Sequence, residues 1–150
     1  MSEVSLSGFA DKINEIMPVI MREFARRQAN GFFKVKITLP QLLLLDFLNI
    51  QGESKMTNIA NFMHVTTAAM TGIVERIVRD GYALRVYDPD DRRIIKVKLT
   101  AKGSDLLKKI NQQRRKMIIS IFGKISETER QQYLRILTRI HDILTQEKER

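Results

Sequence analysis

The chain of 150 residues contains no cysteine and no tryptophan, and only three prolines and seven glycines. The absence of cysteine excludes disulfide bonds, thiol catalysis and cysteine-based redox sensing. No apolar run approaches the roughly 18 residues that a membrane-spanning helix needs. The opening residues, MSEVSLSGFADK, lack the basic start and apolar centre of a signal peptide. We therefore expect a single globular domain over residues 1–150, in the cytoplasm and without membrane association.

Acidic residues are few compared with basic ones, 17 against 26, which gives a net charge of +9. Residues 82–124 contain twelve of the basic and four of the acidic side chains, and so account for +8 of that charge. A concentrated positive charge favours a polyanionic partner such as nucleic acid. The alternative is a merely basic protein with no such partner, and charge alone does not separate the two.

Groups that could perform chemistry are also scarce. His64 and His141 are far apart in the sequence and have no cysteine or second histidine nearby, so we expect no metal site. Asp88, Asp90 and Asp91 lack the glycine and the distal glutamate of a calcium loop. No Ser–His–Asp arrangement and no phosphate-binding glycine loop is present. We predict that the chain is not an enzyme and uses no cofactor.

Both ends of the chain have apolar residues at helical spacing. One stripe runs over residues 9–24, where Pro18 should kink the helix or end it, and another runs over residues 133–144. These stripes present more apolar surface than one small lobe can cover. We therefore assign residues 1–36 and 103–150 to a helical dimerisation region and expect a homodimer.

In the middle of the chain the spacing of apolar residues changes from a helical to a strand pattern and then back to a helical one. A short helix is predicted over residues 57–63 and a second over residues 66–80, with a tight turn at His64 between them. Strands are predicted over residues 82–87 and 94–99, joined by a charged turn. Two helices, a turn and a charged hairpin form a winged helix-turn-helix. The predicted fold is thus mainly α with a small β-hairpin wing, its DNA-binding lobe over residues 38–102, plus helical dimerisation arms.

The second of these short helices has small and polar residues at its start and on its outer face. Recognition helices need such residues because they approach base edges, where threonine methyls contact thymine and hydroxyls bond bases or phosphates. Thr66 can equally be an N-cap, and the others can be merely solvated. The predicted contacts are Thr66, Thr67, Ala68, Thr71 and Arg76.

The charged hairpin supplies cations at its tip, where a wing meets the narrow and negative minor groove. Arg92 and Arg93 lie there, and Asp91 should orient Arg93 because alternate residues on a strand share a face. An ordinary solvated hairpin with a structural Asp–Arg pair is the alternative. Phosphate contacts are predicted for Arg85, Lys96 and Lys98.

The run from Thr57 to Gly103, with DPDDRR, an alternating strand and LTAKG, resembles the MarR family of multiple-antibiotic-resistance type regulators. The resemblance implies a homodimer held by the first and last helices, and a wing that uses Asp91 and Arg93. His64 replaces a frequent turn glycine, and Gly72 replaces a larger polar residue on the DNA face.

Many members of that family bind a small aromatic effector where the dimer arms meet the DNA-binding lobes. Met17 and Met21 are the weak candidates for such a site here, and packing in a core or dimer interface is the alternative. We predict a sequence-specific regulator, a repressor by preference, that binds double-stranded DNA at a pseudo-palindromic operator. A ligand-independent architectural DNA-binding protein and a protein-binding winged helix remain alternatives.

Overall fold

The computed structural model of the chain describes residues 4–32 and 37–146, and the side chains within them except those of residues 29–32. Over this part it contains six helices and three strands. In chain order these are α1 (Leu6–Phe32), α2 (Leu39–Gln51), β1 (Ser54–Lys55), α3 (Met56–Phe62), α4 (Thr67–Arg79), β2 (Ala83–Tyr87), β3 (Ile95–Leu99), α5 (Ala101–Phe122) and α6 (Glu127–Gln146). The predicted fold class is confirmed.

The chain divides into two compact units, residues 1–112 and residues 113–150. The core of the first unit takes apolar side chains from α2, α3, α4, the sheet and the start of α5. Its fully buried members are Leu44, Leu45, Leu48, Ile59, Met70, Val74, Ile77, Val97, Leu107 and Ile110. Each such side chain contributes about 1.5–3 kcal/mol when it is removed from water, so this core holds the shorter elements in place. The predicted domain limits at residues 36, 38, 102 and 103 stay predictions.

Helix α2 begins with a capping box. The side chain of Thr38 accepts from the backbone amide of Gln41 at 3.4 Å, and the Gln41 side chain accepts from the Thr38 amide at 2.9 Å. Pro40 lies in the first turn, where a missing amide costs nothing. The helix ends at Gly52, which has a φ of 77°. Five of its thirteen residues are buried, whereas Leu39, Leu43 and Ile50 are 42–77% exposed, so the helix buries one face rather than most of its surface.

The sheet is antiparallel with the strand order β1–β3–β2. Ala83 pairs with Leu99 and Tyr87 with Ile95, so each strand of the hairpin begins one residue later than predicted. Strand β1 was not predicted. It is only two residues long, too short for an alternating pattern, and it forms because β3 offers an edge.

The hairpin is joined closely to the helices on either side of it. The Thr100 hydroxyl donates to the Gly81 carbonyl at 2.6 Å and accepts from the Gly103 amide at 3.1 Å. The Thr100 amide donates to the carbonyl of Tyr82 at 3.1 Å. Lys102 donates to the carbonyl of Asp80, the C-cap of α4, at 2.7 Å. A Cβ at Gly103, in the first turn of α5, would clash with the Tyr82 carbonyl oxygen and lie 2.7 Å from Leu99 Cδ1, so only glycine fits here without a shift.

Helix α1 continues through Pro18 to Phe32. The prediction that Pro18 ends the helix is therefore wrong. Proline removes one backbone hydrogen bond, which costs about 3 kcal/mol, and the many other turns of this 27-residue helix hold it together. None of its described side chains is buried, and Phe9, Ile13, Ile16 and Ile20 are 38–55% exposed.

The second unit contains the C-terminal half of α5 and the whole of α6. The rings of Phe122 and Tyr133 stack with their centroids 5.4 Å apart. Ser126 and Glu129 form a capping box, in which the carboxylate accepts from the Ser126 amide at 2.8 Å. The hydrogen bond from the Ser126 hydroxyl, at 2.6 Å, and then the bond from its amide lower the pKa of Glu129. No residue of α6 is buried in the described chain.

Candidate nucleic-acid interface

The turn between α3 and α4 sets the start of the predicted recognition helix. His64 adopts a φ of 53°, which confirms that histidine takes the turn position with left-handed backbone geometry. Its amide donates to the Asn61 carbonyl at 3.2 Å, and the Val65 amide donates to the Ala60 carbonyl at 3.1 Å. The chain thus reverses within two residues before α4 begins.

Helix α4 is capped by Thr66, whose hydroxyl accepts from the Ala69 amide at 3.1 Å. The N-cap role of Thr66 is therefore observed. Met70, Val74 and Ile77 are buried and fix the inward face of the helix. Its outward face then carries the predicted contact residues, of which Thr67, Ala68 and Arg76 are exposed and Thr71 is half-buried. The Thr71 hydroxyl donates to the Thr67 carbonyl at 2.9 Å.

Asp88 organises the loop at the tip of the wing. One carboxylate oxygen accepts from the amides of Asp90 and Asp91, at 3.0 and 3.3 Å. The other oxygen lies 3.0 Å from the ammonium of Lys96. The bond from Lys96, and then the Asp90 amide, hold the pKa of Asp88 below its usual value. Sequence reasoning considered Asp88 only as a calcium ligand. The signal it missed is aspartate before Pro89, a frequent start of a turn.

Asp91 and Arg93 do not lie on a strand, because β3 begins only at Ile95. The premise that strand alternation places their side chains together is therefore wrong. The Asp91 carboxylate accepts instead from the backbone amide of Arg93, at 3.0 Å. The physical reason is that a carboxylate reaches an amide two residues on within a turn more easily than a distant guanidinium. Arg92 and Arg93 are both exposed.

The two lysines of β3 differ in their surroundings. The ammonium of Lys96 contacts Asp88 at 3.0 Å and Glu53 at 3.4 Å, and its side chain is only 22% exposed. Asp88, and then Glu53, raise the pKa of Lys96. Lys98 is exposed, and in the part of the chain that the structure describes no carboxylate pairs with it. The sequence grouped these two lysines with Arg85 as equivalent phosphate contacts, which their environments do not support.

A groove of about 700 Å³ separates α4 from the wing. It brings together four predicted residues: Thr67 and Thr71 from α4, and Arg85 and Arg93 from the wing. Six further residues line the groove and were not predicted as contacts, because a local pattern that places a helix or strand does not show which residues meet across a groove. These are Lys55, Met56, Thr57, Tyr87, Ile94 and Ile95.

Arg76 lies on the other side of α4. It lines a second groove, of about 550 Å³, together with Gly72 and Arg79 of the same helix and Thr38 and Pro40 at the start of α2. The recognition helix therefore projects between two depressions, of which only the larger contains wing residues.

Met17 and Met21 of α1 are 42% and 65% exposed, and neither lines either of these grooves. Within residues 4–32 and 37–146 no three His, Asp or Glu side chains come together as a metal site would require. None of the helices described has both the length and the apolar character needed to cross a membrane.

The model of the MarR family matches residues 37–95, which contain α2, α3, α4 and the hairpin as far as the start of β3. The chain is 31% identical over 101 residues to the uncharacterized HTH-type transcriptional regulator YhbI of Bacillus subtilis, a match covering 67% of this chain and 65% of that protein. It is 27% identical over 135 residues to the HTH-type transcriptional repressor YetL of the same organism, covering 89% of this chain and 75% of that protein.

Both relatives are transcription regulators by name rather than enzymes. Among solved structures, a MarR family protein from Bacillus stearothermophilus has a TM-score of 0.79, covering 91% of this chain and 96% of that one. Its sequence identity is 21%, so this likeness is one of fold. The winged helix, the family model and the curated relatives agree, and residues 37–95 form a winged helix-turn-helix of the MarR family of transcriptional regulators.

Proposed function

We propose that this regulator is a repressor that binds a pseudo-palindromic DNA operator as a homodimer. The observation that carries the proposal is the larger groove, which Thr67 and Thr71 line together with Arg85 and Arg93. A recognition helix enters the major groove and a wing reaches the adjacent minor groove, so one phosphate backbone passes between them. A groove with hydroxyls on one side and guanidinium groups on the other suits that backbone.

The homodimer is supported by apolar side chains that lie unburied on the first and last helices. On α6 these are Tyr133, Leu134, Ile136, Leu137, Ile140, Ile143 and Leu144, each 41–59% exposed. Faces of this kind suit obligate dimers, whose interfaces bury more than about 2,000 Å². A two-fold dimer presents two copies of α4, about one helical turn of DNA apart. That spacing leads to the proposal of a pseudo-palindrome.

The direct test is selection of bound duplexes from a random pool, followed by footprinting. We expect two inverted half-sites separated by roughly 34–36 Å, and an affinity that falls steeply with salt because bound cations displace counterions. The same selection with Thr71→Ala should relax one or two base positions and leave non-specific binding nearly unchanged. An asymmetric single half-site, or binding insensitive to salt, would contradict the proposal.

The oligomeric state is tested separately by sedimentation at low micromolar concentration. The expected mass is twice the 17.4 kDa of one chain. A folded monomer under these conditions would remove the basis for a palindromic operator, although not for DNA binding itself.

The response to an effector stays a prediction, with Met17 and Met21 as its weak candidates. A thermal-shift screen with phenolic and lipophilic compounds, repeated with Met21→Ala, separates a ligand-responsive repressor from an architectural DNA-binding protein. A compound that raises the melting temperature of the parent, but not of the variant, assigns these positions to the effector site.

A further inference from the structure

We propose that Lys96 is a positioning residue of the wing rather than a phosphate contact. Its ammonium holds Asp88, and through Asp88 the loop that carries Arg93, against the segment that precedes β1. The inference rests on the proposed DNA binding, because it concerns how the wing is presented to a duplex.

The first step is the geometry around the ammonium. Lys96 Nζ lies 3.0 Å from Asp88 Oδ2 and 3.4 Å from Glu53 Oε1. The side chains of Lys96 and Asp88 are only 22% and 16% exposed. Two carboxylates thus contact one cation, so the ammonium of Lys96 already has two anionic partners within the protein.

The second step is the loop itself. Oδ1 of Asp88 accepts from the amides of Asp90 and Asp91, while its backbone amide donates to the Ile94 carbonyl at 3.0 Å. Both carboxylate oxygens of Asp88 are therefore used, one by the loop backbone and one by Lys96. Asp91 in turn accepts from the Arg93 amide at 3.0 Å. The contacts run without a break from β3 to the backbone of Arg93.

The third step is the contrast with Lys98, two residues further along the same strand. Lys98 is exposed and pairs with no carboxylate of the described residues. The lowered pKa of Asp88 and the raised pKa of Lys96 agree with a contact that keeps both groups charged. Lys98→Met is therefore a matched control that removes the same charge from the same strand.

The experiment titrates one duplex, selected by the parent protein, with Lys96→Met, Lys98→Met and Asp88→Asn at several salt concentrations. Loss of one phosphate contact lowers the slope of log K against log salt by about 0.9. We expect this shallower slope for Lys98→Met. Lys96→Met should instead keep the parent slope and weaken binding about fivefold, the scale of a partly exposed ion pair.

For Asp88→Asn, electrostatics and positioning predict opposite changes in DNA affinity. The substitution adds one positive charge to the lobe, so electrostatics alone predicts tighter binding. It also removes the partner of Lys96, so positioning predicts weaker binding. Tighter binding by Asp88→Asn, a reduced salt slope for Lys96→Met, or unchanged affinity of Lys96→Met would each overturn the inference. If Lys96→Met does not fold, the direction in which Asp88→Asn changes the DNA affinity tests the inference.

A readout without DNA separates this inference from the proposed function. In the free protein, hydrogen exchange at the amides of Asp90 and Asp91 should become faster in Lys96→Met and stay at the parent rate in Lys98→Met. If the parent binds no duplex, the proposed function fails. Hydrogen exchange at these two amides then tests the role of Lys96 by itself. Equal exchange in the two variants would overturn that role even if the parent binds DNA tightly.

Discussion

The Asp91 carboxylate accepts a hydrogen bond from the backbone amide of Arg93, with Oδ1 and N 3.0 Å apart. The contact fixes the backbone that carries Arg93 and leaves its guanidinium exposed. An acidic residue can therefore support an exposed arginine of the wing without pairing with its charge.

This relationship predicts different effects for two substitutions at Asp91. Asp91→Asn keeps an oxygen that accepts from the amide and removes a negative charge, so operator binding should equal or exceed that of the parent. Asp91→Ala removes the same charge and also the acceptor, so it should bind more weakly than Asp91→Asn. Titration of both variants on one operator at one salt concentration makes the comparison. Equal loss in the two variants would instead favour an ion pair between Asp91 and Arg93.

Replacing Gly72 by alanine is predicted to raise the stability of the fold and to weaken operator binding. A Cβ added there would have no atom within 4 Å, and the residue lies on the exposed side of α4. Gly72→Ala should therefore raise the free energy of unfolding by about 0.8–1 kcal/mol, the difference in helix propensity. The added methyl should also weaken operator binding, because it stands on the face proposed to enter the major groove. Urea unfolding and an operator titration of the same preparation measure both effects, and a variant that gains stability without losing affinity would place Gly72 away from the DNA.

Gly103→Ala should have the opposite effect on stability. Its Cβ would clash with the Tyr82 carbonyl oxygen and lie 2.7 Å from Leu99 Cδ1, closer than such atoms approach. Overpacking of this kind costs about 1–3 kcal/mol, so the melting temperature should fall clearly. An unchanged melting temperature would mean that α5 can move away from β2 at little cost.

The pair formed by Asp88 and Lys96 predicts a pH window for stability. The pKa of Asp88 is lowered, so its contribution is present above the ordinary aspartate pKa and disappears as the pH falls through the lower folded value. The pKa of Lys96 is raised, so its contribution is present below the ordinary lysine pKa and disappears as the pH rises through the higher folded value. The difference in unfolding free energy between the parent and Lys96→Met should thus be largest between about pH 5 and pH 9. A difference that stays constant from acid to alkali would show that the loss is one of packing.

The sequence predicted the larger elements well, because each has a strong period or a cap. The stripe at Met70, Val74 and Ile77 placed α4, and Thr66 marked its first turn correctly. Helix α2 has local signals of the same kind, namely the capping residue Thr38 and a dense apolar run. These signals are local, so they can be recognised in the sequence without knowledge of the tertiary structure.

Contacts between distant residues could not be predicted. Strand β1 exists only because β3 lies beside it, and the bond between Glu53 and Lys96 spans 43 positions. The sequence analysis therefore grouped Lys96 with Lys98, although among the residues that the structure describes only Lys96 has carboxylate partners. Asp91 and Arg93 do meet, but through the Asp91 carboxylate and the Arg93 backbone amide, because both residues lie in the turn before β3 and not on a strand.

The bonds around Thr100 give the lobe a mechanical property. Its hydroxyl joins the Gly81 carbonyl to the Gly103 amide, and Lys102 holds the carbonyl that ends the cap of α4. These hydrogen bonds thus connect the C-terminal end of α4 directly to the first turn of α5. A rotation of α5 about its own start would have to break these bonds or move α4 as well, so the orientation of α4 is coupled to the direction in which α5 leaves the sheet.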